Sequence, residues 1–191
     1  LGDCHTRQWI AKGITFDNWD QKVSESIQIQ DSPAVSLTIQ YVYDNNGNLR
    51  KTVFPLGNAE LRFYDERDLL YKVVKKNALS NDLTLPDIDP ADSVTQYDYD
   101  GSGNVIQVTD PEGHVSRVGY DGYGRRAVAF DAFYQKSTTS YNERGNVVEK
   151  VFRGKVNGVV DPPPASPPIS DYPELSRQTF DYDELGGVRP S

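Results

Sequence analysis

Asp and Asn recur beside Gly at short, fixed offsets: Asp44-Asn45-Asn46-Gly47-Asn48, Asp100-Gly101-Ser102-Gly103-Asn104 and Asn142-Glu143-Arg144-Gly145-Asn146. Clustered side-chain oxygens raise the chemistry of a hard cation such as calcium. A loop of the EF type, however, needs oxygens at alternate positions over about twelve residues, ending in a bidentate Glu. These segments carry only the start of that pattern. They suit turns better, because an Asp carboxylate accepts from a backbone N–H two residues on and Gly takes a positive φ. The expectation is turn chemistry and no cofactor, with calcium as the ion to test.

Other reactive residue types give less. Cys4-His5 is a thiolate–imidazole pair in name, but the two are adjacent in an irregular terminus and no third orienting group is identifiable. Cys4 is the only cysteine, so it can pair only with another chain. His114 follows a turn Gly and is expected on the surface. With two His in the chain, a His-rich metal centre is excluded. Glycosidase chemistry needs two carboxyls about 5 to 9.5 Å apart. Nothing selects such a pair among 28 acidic residues, and the chain is read as no enzyme. Gly101-Ser102-Gly103 and Gly122-Tyr123-Gly124 echo phosphate loops, but no helix follows to supply N-terminal amides. The twelve tyrosines offer two roles: ring-on-ring packing between hairpins, or an exposed ladder for sugars.

Composition narrows the partners. The formal charge of −8, with no Lys/Arg cluster to offset it, excludes phosphate-backbone binding. No apolar run approaches the roughly 18 residues of a membrane-spanning helix, so no membrane insertion is expected. The chain starts at Leu1 and has no Met, which suggests processing or a fragment of a longer protein.

The elements that hold these residues read as strands. In Val35–Asp44, Leu37, Ile39, Tyr41 and Tyr43 share one face, and Thr38, Gln40, Val42 and Asp44 the other. A period of two marks a half-buried strand. Val94–Tyr99, Val105–Thr109 and Val115–Tyr120 follow one another through Asp100–Asn104 and Asp110-Pro111-Glu112-Gly113. Further strand patterns are Ser26–Gln30, Leu49–Phe54, Leu61–Tyr64, Leu69–Val74, Arg125–Tyr134, Thr138–Tyr141, Val147–Phe152 and Arg177–Tyr182.

The organisation expected is an irregular or degenerate repeat over 1–36, where Phe16–Asp20 looks like a decayed turn. Hairpins follow over 37–153, with a surface loop at 75–92. A proline-rich linker or loop covers 154–174, and a truncated repeat 175–191, its last turn lacking a return strand.

An aromatic–acid beat precedes each turn: Tyr43-Asp44, Tyr64-Asp65, Tyr99-Asp100, Tyr120-Asp121, Tyr141-Asn142 and Tyr182-Asp183. The spacings are 21, 35, 21, 21 and 41 residues. A period of 21 fits two strands of about seven residues and two short turns, one hairpin per repeat. Gly47, Gly103, Gly124 and Gly145 close the beat, and Asp110, Pro111 and Gly113 mark the opposite turn.

The pattern Y-x-Y-D-x-x-G-N-L/V, then a strand, then D-P-x-G, resembles the YD or RHS repeat family. Tyr41–Leu49 and Tyr97–Gly113 carry it most fully, with looser copies at Tyr120–Arg125, Tyr141–Val147 and Tyr182–Gly186. The family's core-terminating self-cleavage element is not evident, since Asp110–Gly113 is followed by His114. The resemblance implies hairpins joined into a long ribbon, as in secreted bacterial toxin shells, insecticidal toxin-complex components and teneurin-like proteins.

The expectation is therefore all-β: tandem antiparallel hairpins in a twisted ribbon. The function expected is a non-catalytic extracellular or cell-surface scaffold. Its partners would be further repeats, of the same chain or of identical chains, joined through sheet edges. The alternatives are an adhesin binding glycans through exposed tyrosines and a self-associating fibre subunit.

Overall fold

The computed structural model describes residues 12–31, 34–77, 88–133, 135–154, 173–183 and 187–189. Among them every regular element is a β-strand. The chain forms two compact units, Leu1–Val94 and Thr95–Ser191.

The first unit holds β1 (Lys12–Phe16), β2 (Lys22–Asp31), β3 (Ala34–Tyr43), β4 (Leu49–Val53), β5 (Ala59–Tyr64) and β6 (Leu70–Lys75), each hydrogen-bonded to the next in chain order. All the pairings are antiparallel. Short turns force this arrangement, because a two-to-five-residue link can only join antiparallel neighbours.

Register decides which side chains meet. Lys51 faces Leu61 and Leu61 faces Val74, while Val53 faces Ala59. These residues therefore share a face, and all of them are buried. The opposite face carries Thr52, Glu60 and Lys75. In β2 and β3 the apolar side is reversed. Ile27 faces Leu37, and the Leu37–Ile39–Tyr41 side of β3 is the Thr52 side of β4, since Tyr41 pairs with Thr52.

The second unit holds β7 (Ser93–Tyr99) from Thr95 onward, then β8 (Val105–Thr109), β9 (Val115–Tyr120), β10 (Arg126–Phe130), β11 (Lys136–Tyr141), β12 (Val147–Arg153) and β13 (Glu174–Thr179), again each beside the next. Among the described residues Phe130 and Val151 are its buried apolar side chains, and Lys136 lies buried with its ammonium 5.4 Å from the Phe130 ring centroid. A separate two-stranded ladder joins β14 (Asp181–Tyr182) to β15 (Val188–Arg189).

Several expectations change. The terminus read as irregular contains β1, and its decayed turn is fully formed: Asp17 N–H donates to the Gln21 carbonyl at 2.9 Å. Asp20 supplies the positive φ, 62°, that Gly supplies elsewhere. Arg125–Tyr134 is not one strand. β10 stops at Phe130, and Asp131 N–H donates to the Gln135 carbonyl at 3.1 Å to close a turn without Gly. The turn at Asp183 does have return residues, Val188 and Arg189.

Cys4, His5 and most of the proline-rich segment lie outside the described residues, as do residues 78–87 of the 75–92 loop. The ends of that loop are tied together. Lys76 Nζ sits 2.5 Å from Asp92 Oδ2, with side-chain exposures of 10% and 1%. Asn77 and Asp89 N–H groups donate to the same carboxylate at 2.9 and 2.8 Å.

Candidate functional site

The residues singled out by sequence converge on a repeated structural device. In the turns opened by Asp44, Asp65, Asp100, Asp110, Asp121 and Asn142, the first N–H donates to the fifth carbonyl at 2.9–3.0 Å. The fourth N–H donates back to the first carbonyl at 3.0–3.1 Å. The fourth residue has a positive φ: Gly47 87°, Gly103 84°, Gly113 86°, Gly124 74°, Gly145 84° and, without Gly, Asp68 58°. This is a tight turn followed by a left-handed residue that forms a bulge, and each ladder shifts register beside it where a Tyr ends the strand.

The opening side chain stabilises the turn from within. Asp44 Oδ1 accepts from Asn46 and Asn48 N–H at 3.0 and 2.8 Å. Asp65, Asp100 and Asp121 do the same at 2.9–3.0 Å. Asn142 achieves it with an amide oxygen, at 3.0 and 2.9 Å. Asp183 accepts from Gly187 N–H at 2.7 Å.

Such donors favour the carboxylate. The Asn104 amide, then its backbone N–H, holds Asp100 below the ordinary carboxyl range, and Arg125 does so for Asp121. At Asp44 burial pushes the other way, but the N–H groups of Asn48 and Asn46 outweigh it. The oxygens that suggested calcium are thus engaged by the turns' own amides.

The anchor tyrosines are half-buried, and their hydroxyls reach back one hairpin. Tyr43 donates to the Lys22 carbonyl at 3.0 Å, and Tyr64 to Leu49 at 3.1 Å. Tyr120 donates to Val105 at 2.9 Å, Tyr141 to Arg126 at 2.8 Å and Tyr182 to Val147 at 2.8 Å. Tyr99 occupies the same place at the end of β7. Each acceptor is the first strand residue after the preceding turn of this kind, so the phenol links one hairpin to the one before. This bond is not among the two tyrosine roles read from sequence, ring-on-ring packing and an exposed sugar ladder. The close aromatic pair among the described residues is Phe63–Tyr71, at 6.4 Å. A half-buried phenol keeps its ring in the sheet and needs a partner for its hydroxyl; a strand-end carbonyl supplies one.

Neighbouring turns also touch. Asn46 and Asn48 Nδ2 donate to Asp68 Oδ1 at 3.0 and 2.7 Å. The Arg125 guanidinium lies 4.4 Å from the Tyr141 ring centroid and 4.9 Å from that of Tyr123.

On the turn of Asp110, Pro111, Glu112 and Gly113, a metal-capable group assembles. Ligand atoms of Asp110, Glu112 and His114 lie within 4.8 Å of one another. His114 Nδ1 sits 3.0 Å from Asp110 Oδ2, and His114 N–H donates to Oδ1 at 2.8 Å. Both partners are open to solvent. The sequence signal for this group is the spacing D-x-E-x-H, which by itself reads as a turn and a surface His.

Residues 88–115 and 99–129 match the family described as RHS Repeat, the repeat that the tyrosine–acid motif resembles. No curated protein matches the chain's sequence. A structure of the Photorhabdus luminescens Tc holotoxin pore aligns with 94% of this chain at 12% identity and a TM-score of 0.50. A crystal structure of TcdB2-TccC3-TEV aligns with 94% of it at 12% identity and a TM-score of 0.51. This chain spans 10% of the length of each of those chains. At that identity the likeness is one of fold: antiparallel, all-β hairpins.

Proposed function

We propose that this chain is a structural segment of a larger secreted or cell-surface RHS-repeat scaffold, with no catalysis of its own. The observation that carries the reading is the phenol-to-carbonyl bond by which Tyr43, Tyr64, Tyr120, Tyr141 and Tyr182 each reach the preceding hairpin. A device that repeats with the sequence period and points one hairpin at the last is a means of propagating a sheet. Catalytic groups show no such periodicity.

The sheet edges indicate the partner. β1 pairs with β2, β13 pairs with β12, and both strands are exposed along their length. Among the described residues each pairs on one side only, and unpaired ladder groups on such a strand template further strands. The partners are therefore further repeats, from a longer parent chain or from identical chains. The toxin assemblies that share the fold make a shell segment the natural parent.

Light scattering across a concentration series, with electron microscopy of the species formed, tests this. Edge-to-edge assemblies are expected for the chain alone, and a continuous sheet when flanking repeats are fused to it. A monomer at every concentration, with β1 and β13 amides protected from exchange, would overturn it.

A further inference from the structure

The five-residue turn brings its first, third and fifth side chains together. First meets fifth at Asp44, whose Oδ2 accepts from the Asn48 amide at 3.3 Å, and at Asp100, whose Oδ2 accepts from Asn104 at 2.9 Å. Arg125 Nε reaches Asp121 Oδ2 in the same way at 2.7 Å. First meets third at Asp65, whose Oδ2 accepts from Arg67 Nη2 at 3.0 Å. In those turns the partner nitrogens belong to amides and guanidinium groups, which donate and have no lone pair for a cation.

The turn Asp110-Pro111-Glu112-Gly113-His114 fills the same three places with two carboxylates and an imidazole. No other turn of this kind among the described residues does so. His114 stands where Asn48, Asn104 and Arg125 stand, with Nδ1 3.0 Å from Asp110 Oδ2. Glu112 stands where Arg67 stands, and one ligand atom from each of the three residues lies within 4.8 Å of the others. The backbone beneath them is fixed. Asp110 N–H donates to the His114 carbonyl and Gly113 N–H to the Asp110 carbonyl, both at 3.0 Å. His114 N–H holds Asp110 Oδ1 at 2.8 Å, which leaves Oδ2 on the imidazole side. Pro111 locks its own φ, so chelation costs little further backbone entropy.

We propose that Asp110, Glu112 and His114 bind a divalent transition-metal ion of the zinc class, with water completing its shell. Zinc takes imidazole nitrogen and carboxylate oxygen at about 2.0–2.2 Å, so ligand atoms of a tetrahedral site lie about 3.4 Å apart. The His114–Asp110 pair is already near that spacing, and Glu112, exposed at the turn tip, closes the rest by side-chain rotation. His114 Nδ1 offers its lone pair in the tautomer protonated at Nε2. One imidazole with carboxylates suits zinc, nickel or copper, whereas calcium takes six to eight oxygens. The site does not depend on how the sheet edges are used, so it stands apart from the scaffold reading.

The test is titration of the whole chain with Zn²⁺ and, separately, Ca²⁺, followed by NMR of the imidazole rings and by calorimetry. The chain has two His, and His114→Asn assigns the signals of His114. Zn²⁺ is expected to shift them, and millimolar Ca²⁺ neither to shift them nor to displace Zn²⁺. Calorimetry uses a Cys4→Ser, His5→Gln background, which removes the other thiol and imidazole. There, His114→Asn, which copies Asn48 and Asn104, and Glu112→Gln should each weaken zinc binding at least about tenfold. Both should leave the metal-free melting temperature unchanged. Gly101→Pro, Ser102→Glu and Asn104→His together, added to His114→Asn, should rebuild the site on the Asp100 turn. Unmoved His114 signals at millimolar Zn²⁺, equal binding of Ca²⁺, zinc binding indifferent to both single substitutions, or a folded graft that binds no zinc would each overturn the proposal.

Discussion

The hydroxyl of Tyr120, the last residue of β9, donates to the carbonyl of Val105, the first residue of β8, at 2.9 Å. Tyr64 with Leu49 and Tyr141 with Arg126 repeat the relationship at the same separation of 15 residues. The bond is small in energy but placed where a hairpin sheet is weakest, at the bulged end of a strand. It fixes the turn end of one hairpin against its predecessor and so sets register.

Tyr120→Phe removes the hydroxyl and keeps the ring. The expected loss is about 1 kcal/mol, the net worth of one hydrogen bond, plus any cost of leaving the Val105 carbonyl without it. Tyr120→Ala also removes the packing and should lose about 3 kcal/mol. Urea unfolding of the three proteins measures both. Equal stability of wild type and Tyr120→Phe would show that the bond holds nothing.

The period-two strands and the Asp-x-x-Gly turns were legible because each rests on local chemistry: alternating side chains, a carboxylate cap and a positive φ. Turns without Gly were harder. Asp131–Gln135 hid inside an apolar run containing Phe130 and Phe133, and Asp17–Gln21 relied on Asp20 for its left-handed residue. The tyrosine spacing showed that the rings repeat, but not where their hydroxyls go, since the acceptor is a backbone carbonyl that any residue can provide.

Turn carboxylates make stability depend on pH. The folded-state pKa of Asp44 is lowered: burial opposes the shift, but the N–H groups of Asn48 and Asn46 outweigh it. Asp100 and Asp121 are lowered too, by Asn104 and Arg125 respectively. A depressed carboxyl contributes stability above its unfolded value of about 3.9 and loses it as pH falls through the folded value. Asn142 shows that an amide oxygen can take the same two N–H bonds. Asp44→Asn should therefore keep the turn and flatten the acid limb, whereas Asp44→Ala should lose about 1 kcal/mol at neutral pH. Thermal melts from pH 7 to pH 2 separate the two. Identical acid limbs for Asp44→Asn and wild type would exclude this source of the pH dependence.

The Lys76–Asp92 pair is the most enclosed ion pair described, and it pins both ends of the 75–92 loop. Burial alone would raise the Asp92 pKa; the Lys76 ammonium and the N–H groups of Asn77 and Asp89 turn the shift downward. Asp92→Ala leaves an ammonium and two amides facing an apolar side chain, and should cost about 3 kcal/mol. Lys76→Met paired with Asp92→Leu should cost less than Asp92→Ala, because no charge is stranded. Chemical denaturation of the set checks this. A double variant no better than Asp92→Ala would mean that the pair matters for more than its charge.

Gly122 and Gly124 sit in one turn, and a Cβ on either meets nothing within 4 Å. Sterics with neighbours therefore cannot distinguish them, and backbone conformation must. Gly124 has φ +74°, which an L-residue adopts at a cost of about 1–2 kcal/mol, while Gly122 lies outside that region. Gly124→Ala should be destabilised by about 1 kcal/mol, and Gly124→Asn by less, since Asn tolerates the left-handed region. Gly122→Ala should be neutral or slightly stabilising, because Ala narrows the unfolded ensemble without straining the fold. Urea midpoints decide it: equal losses at the two glycines would show that Gly124 is required for something other than its backbone angle.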